Sequence, residues 1–180
     1  MEAVLEAATD LLAARSLSAV SIRDIAAKAG VNHGLIHRHF GSKRNLVRAV
    51  VARNDQRLQA AITEATGFRG MLEAGALTVE KDPRLWRIPA RLLMDDEVEF
   101  LDEFPRSAVA SLVAAAAADT EWERTHQVTA GEATFLVMCL SLGVAMLGKY
   151  IGPSLGVSEP ALPNMVQTVF AAVDRVRVEP

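Results

Sequence analysis

Between Ser21 and Arg44 the chain gathers most of the side chains able to do chemistry: Ser21, Arg23, His33, His37, Arg38, His39, Lys43 and Arg44. Imidazole, guanidinium and ammonium groups in one short stretch suit either coordination of a metal ion or contact with a polyanion. His33 and His37 stand four residues apart, so a helix puts them on one face. A zinc site needs a third or fourth protein ligand, and the single cysteine, Cys139, lies far away in sequence. Glu123-Arg124-Thr125-His126 matches the E-x-x-H unit of diiron bundles, but those sites need two copies and two further glutamates. It reads as an exposed polar loop or helix end. No Ser/His/Asp order, phosphate-cradling glycine loop or paired catalytic carboxylates stands out, so neither an enzymatic reaction nor a cofactor is expected. Phosphate contact remains, with cations supplying affinity and base-edge contacts supplying sequence preference.

The surrounding residues must position these groups. Ser21 is a good N-cap and Asp24, three residues on, completes a capping-box start. Ile22, Ile25, Ala26 and Ala29 make an apolar stripe at helical spacing. Gly30 follows where a helix-ending residue takes positive φ. Asn32 is the next N-cap, and a second short helix over about 33–40 puts Ile36 and Phe40 on its inner face. His33, His37 and Arg38 are left outside. Helix, tight turn and helix with an outward polar surface is the helix-turn-helix geometry, whose second helix fits the major groove. Gly34 allows close approach to that groove. Arg38 or Arg23 can read a guanine edge, and Leu35 can touch a thymine methyl. Lys43 and Arg44 open the next helix, where backbone N–H groups also face an anion.

The run DIAAKAGVNHGLIHRHFGSKRNL closely resembles the TetR-family transcriptional repressors: an acidic–Ile–Ala segment, Ala-Gly-Val, Gly, His-Phe, then Ser-Lys with a Leu soon after. The likeness covers about the first quarter of the chain. It implies that Lys43 is a phosphate-contacting lysine. His37 stands where the family usually has a phosphate-contacting tyrosine, Asn32 where serine is common, and Ser16 where glycine usually ends the first helix. The chain begins almost at that helix, so the basic arm of some family members is not expected.

Net charge is only −3. Yet Ser18–Arg53 holds seven basic residues against one acidic, so the remainder is strongly acidic. The asymmetry predicts a basic DNA face on an acidic body. Half of the 180 residues are hydrophobic, dominated by alanine, leucine and valine, which suits packed helices. One cysteine excludes an internal disulfide and fits a reducing cytoplasm. Met1 leads into amphipathic helix, so no secretory signal is expected.

The fold expected is all-α: a three-helix helix-turn-helix head over residues 1–48, then a helical ligand-binding and dimerisation body over 49–180. A first helix covers about 2–15 and a fourth about 43–66. Further helices follow over 69–79 and 83–94, the latter with a kink or early break at Pro89. The acidic stretch 95–103 reads as half-buried, and an alanine-rich helix runs to about 118. Thr129 and Glu132 box the start of a helix to about Ile151, and the last stripe runs from 159 to 176. The run from Ala133 to Gly148 is too short, and too closely bracketed by Glu132 and Lys149, for a membrane span.

The last two helices carry more apolar surface than a small body can cover, which signals a partner surface. In the resembling family the final two helices form a dimeric four-helix bundle, and both routes predict a homodimer. The resemblance also implies a pocket in the body, with Trp86, Leu93, Met94, Phe100, Phe104, Trp122, Phe135 and Met138 as its large apolar candidates. The expected partners are a near-palindromic DNA operator and a small hydrophobic effector.

Overall fold

A computed structural model describes residues 1–97, 107–126 and 128–156, with single positions at 168 and 171. Among the described residues all regular structure is helical. The elements are α1 (Glu2–Ala14), α2 (Ile22–Ala29), α3 (His33–Phe40), α4 (Lys43–Thr63), α5 (Gly67–Lys81) and α6 (Arg84–Met94). Then come α7 (Ser107–Ala118), α8 (Thr120–Thr125), α9 (Ala130–Ile151) and a short 3₁₀ turn, Pro153–Leu155. The stripe expected over 159–176, and Phe100 and Phe104, lie outside the described residues.

Two compact units divide the chain. The first joins Met1–Asp55 with the segment beginning at Arg84, and the second holds Gln56–Pro83 and the described residues from Ser107 onward. In the first unit, Val4, Ala8 and Leu12 of α1 meet Ile25 of α2, Ile36 of α3, and Leu46, Val47 and Val50 of α4 in one buried cluster. Ile88 and Leu92 of α6 complete it. Each such valine, leucine or isoleucine contributes roughly 1.5–3 kcal/mol when fully buried. A helix from beyond the expected head thus shares the core of the helix-turn-helix.

Helix ends follow the sequence signals. Ser21 Oγ accepts from the Asp24 amide at 3.1 Å while Asp24 Oδ2 accepts from the Ser21 amide at 2.9 Å, a complete capping box. Gly30, at φ 66°, ends α2, and the Val31 amide reaches back to the Ala26 carbonyl at 3.0 Å. A side chain other than glycine is disfavoured at that backbone. The early break expected at Pro89 does not occur: α6 continues past it to Met94.

In the second unit, α5, α7 and α9 contact one another pairwise. Phe68, Leu72, Ala76 and Val79 of α5, Leu112 of α7 and Ala133 and Val137 of α9 are buried. Thr129 and Glu132 form the expected box at the start of α9, with hydrogen bonds of 2.8 and 3.2 Å between each one's side chain and the other's amide. By length and composition the 22-residue α9 could cross a membrane, which the shorter apolar run had spoken against. A third of its most apolar window is buried within the protein, on a helix that contacts α5 and α7.

Candidate nucleic-acid interface

The outer surface of α3 is set by its caps and by one buried anchor. Asn32 Oδ1 accepts from the Gly34 amide at 2.8 Å, starting the helix. A Cβ on Gly34 would stand 3.2 Å from that oxygen, so the cap itself favours glycine there. Ile36 is fully buried, while His33, Gly34, Leu35, His37, Arg38 and His39 are exposed. The structure therefore brings these six residues onto one solvent-facing helix without a carboxylate among them. His37, Arg38 and His39 also occupy the last turn, where a positive charge suits the helix dipole.

Each imidazole has its own setting. His37 Nδ1 lies 3.4 Å from the Gly41 carbonyl, which closes the helix. When that nitrogen donates, neutral His37 turns an acceptor, Nε2, outward. The His39 ring meets Phe40 edge-on at 4.8 Å. Among the described residues no group of three or more His, Cys, Asp or Glu gathers as metal ligands would.

Around α3 the polar side chains hold the scaffold. The Ser21 hydroxyl donates to Asp24 Oδ2 at 2.6 Å, so a phosphate contact from Ser21 must compete with its own cap. These hydrogen bonds hold the Asp24 carboxyl below the usual carboxylate range. Ser42 Oγ accepts from the Asn45 amide at 3.1 Å, and Asn45 Nδ2 donates to the Phe40 carbonyl at 2.9 Å. The α3–α4 turn is thus closed from both sides. Arg23 and Arg44 are exposed on the first turns of α2 and α4. Lys43 donates through Nζ to the Leu17 carbonyl, in the loop between α1 and α2. Partial burial lowers its pKa, opposed by the charges of Glu97 and Asp24. An ammonium has three donors, so one bond leaves capacity for a phosphate.

The basic surface is smaller than residue counting suggests. Lys28 pairs with Asp10 at 3.0 Å, and Arg53 reaches Glu2 at 2.5 Å and Glu6 at 3.1 Å. These acids all lie on α1, outside the window in which positive charge was counted, and only folding brings them in. Sequence reasoning also missed α6 as part of this unit. Its signals were present, since Arg84, Ile88 and Arg91 share a face at helical spacing, but nothing local says which helix that face meets.

Of the eight apolar side chains singled out for a ligand pocket, the six that are described are divided between the two units. Trp86, Leu93 and Met94 fall in the first unit. Leu93 and Met94 are exposed, and the half-buried Trp86 has an indole N–H with no partner among the described residues. Trp122 belongs to the core of the second unit, edge-on to Phe68 at 5.1 Å and stacked on His126 at 4.0 Å. Its Nε1 donates to the Val128 carbonyl at 2.9 Å. Phe135 and Met138 do share an open apolar cleft of about 470 Å³ between α7 and α9, with Val109, Val113, Ala116 and Thr134.

The first unit thus presents a helix-turn-helix head with one polar, acid-free outward helix. Residues 4–50 match the family described as bacterial regulatory proteins, tetR family. An HTH-type transcriptional repressor of Mycobacterium tuberculosis and an HTH-type transcriptional regulator of Mycobacterium bovis are each 45% identical to this chain over 94 residues. Each match covers 52% of this chain and 46% of the relative, so the aligned part spans about half the length of those proteins. A transcriptional regulator from Rhodococcus sp. RHA1 superposes with TM-score 0.72 at 19% identity, covering 99% of this chain and 98% of that one. A TetR family transcription regulator from Marinobacter aquaeolei gives 0.68 at 16% identity, over 98% and 95%. At such identities the likeness is one of fold. Residues 4–50 thus match the tetR family's head, and the chain as a whole shares the fold of these regulators.

Proposed function

We propose that the chain is a homodimeric transcriptional repressor of the cytoplasm, released from a near-palindromic operator by a small hydrophobic ligand. The observation that carries this reading is the outward surface of α3, where His33, Leu35, His37, Arg38 and His39 stand exposed with no carboxylate between them. The major groove admits such a helix, and a dimer would place two of them about 34 Å apart on successive turns. Lys43, Arg44 and the amides of the first turn of α4 then face phosphates, and Arg38 or Arg23 faces a guanine edge. Ser21 and Asn32 flank this surface from the two caps.

The second unit supports the dimer and the ligand. Along α9, Phe135, Leu136, Leu147, Tyr150 and Ile151 are exposed, an apolar face of the kind that meets a partner. The cleft at Phe135 and Met138 is apolar enough for a hydrophobic effector and large enough for a small one. An effector releases DNA only through different affinities for the two states, typically about 1–3 kcal/mol of coupling.

The reading is tested by fluorescence-anisotropy titration of labelled duplexes with wild type, Arg38→Ala and Lys43→Ala. Arg38→Ala should relax preference at one or two base pairs. Lys43→Ala should weaken all duplexes alike and reduce the salt slope by about one. Affinity in both variants equal to wild type would sink these roles.

A further inference from the structure

The backbone at Leu17 is gripped from both sides. Its side chain is buried in the core of the first unit, while its peptide groups lie in the loop between α1 and α2. The Leu17 amide donates to Asp95 Oδ2 at 3.0 Å, and the Leu17 carbonyl accepts from Lys43 Nζ. One residue thus connects the end of α6 to the first residue of α4.

Asp95 is aimed by the way α6 stops. The Asp95 amide bonds to the Arg91 carbonyl at 2.8 Å and the Glu97 amide to the Leu92 carbonyl at 2.9 Å, with Asp96 in the left-handed region at φ 59°. Carbonyls that a helix end leaves open are satisfied by this turn, which fixes the direction of Asp95. Two further links tie α6 to α1. Arg91 Nε donates to the Ala13 carbonyl at 3.0 Å, and Arg84 Nη1 lies 2.6 Å from Glu6 and 2.5 Å from Asp10. The Asp95 bond is the last of this series and the one that reaches the loop.

We propose that Asp95 is a positioning residue for DNA binding, holding the Leu17 loop and, through it, the ammonium of Lys43. The proposal rests on the DNA-binding reading above and adds a residue that does not itself face DNA. An unheld Leu17 amide turns to water and loosens the loop, so the Leu17 carbonyl, which also accepts from the Val20 amide at 3.3 Å, orients Lys43 less firmly. Lys43 keeps its charge but loses its fixed place beside the phosphate, so affinity falls although no phosphate contact has been deleted.

Asp95→Ala and Asp95→Asn separate this from electrostatics. Both remove the same negative charge, which alone would tighten binding to a polyanion. Only the asparagine keeps an oxygen that can accept from Leu17. The probe is a duplex enriched from a random pool, titrated at several salt concentrations with each variant, with Lys43→Ala and with the Asp95→Ala/Lys43→Ala pair. Expected is a loss of about three- to tenfold in Asp95→Ala, near wild-type affinity in Asp95→Asn, and little further loss when Asp95→Ala is added to Lys43→Ala. Asp95→Ala binding as well as wild type, an asparagine that fails to restore affinity, or additive losses would each overturn the proposal. Hydrogen exchange of the Leu17 amide in the wild type is a second measurement: protection is expected, and exchange as fast as an open loop overturns it. A wild-type chain that binds no duplex, even at low salt, would instead remove the DNA-binding reading and this inference with it.

Discussion

In the first unit, Arg53 donates to Glu2, Glu6 and Thr9, Lys28 pairs with Asp10, and Lys43 and Asp95 hold the two sides of Leu17. In the second unit, Phe135 is 67% exposed and Tyr150 is 84% exposed on a helix whose buried side is lined by small residues, among them Ala133, Val137, Ser141 and Ala145. The head ties its helices together with these long-range polar pairs and leaves a polar helix exposed. The body has left apolar groups open. A polar helix free of carboxylates suits a polyanion, whereas open apolar rows suit another apolar surface. The same chain therefore presents two exposed surfaces of opposite chemistry, one on each unit.

The comparison breaks most sharply at Ile36. Its removal as Ile36→Ala empties the only fully buried position of α3 and should cost about 2–5 kcal/mol, read from the denaturant midpoint. Leu147→Ala on the exposed face of α9 should stay within about 0.5 kcal/mol in a folded monomer. Equal costs at the two positions would mean that the α9 face is covered within one chain. Next in size is Arg53→Ala, which strips hydrogen bonds from two carboxylates and the buried Thr9. We expect a loss of about 1–3 kcal/mol by urea unfolding, and no loss would mean that these pairs are fully screened.

Ser21→Ala should cost about 1 kcal/mol through the lost cap of α2. The same box gives a pH signature. Asp24 and Glu132 are both held below their ordinary carboxylate values by their Ser21 and Thr129 hydrogen bonds. Because the folded state lowers these pKa values, their stabilisation is present above about pH 4 and disappears as pH falls through the lowered values. The Tm of wild type should therefore drop between pH 5 and 3, and by less in Asp24→Asn. An identical drop in the variant would contradict the cap. The smallest expected effect on folding is that of Leu147→Glu, which should instead abolish self-association in sedimentation. A stable dimer in that variant would move the interface off this face.

How much of this was legible in advance depends on the range over which each feature is decided. Ser21–Asp24, Gly30, Asn32 and Thr129–Glu132 act within four residues, and each was readable and stands where read. The outward set on α3 was equally local, because Ile36 and Phe40, four residues apart, fix which side faces in. The partners of Lys28 and Arg53 come from α1, so a charge count confined to one window overstated the basic face. Leu17, Asp95 and Lys43 are separated by 78 and 26 residues, and no spacing rule reports such a meeting. The pocket list mixed different settings for a similar reason. Large apolar type says that a side chain avoids water, while only packing decides whether Trp122 fills a core or Phe135 lines a cleft.

The central claim is that α3 reads DNA. Its most direct test is selection of bound duplexes from a random pool by the whole chain at about physiological salt, followed by sequencing. The account predicts enrichment of a near-palindrome with half-sites about one helical turn apart. A folded protein that enriches no sequence would contradict it.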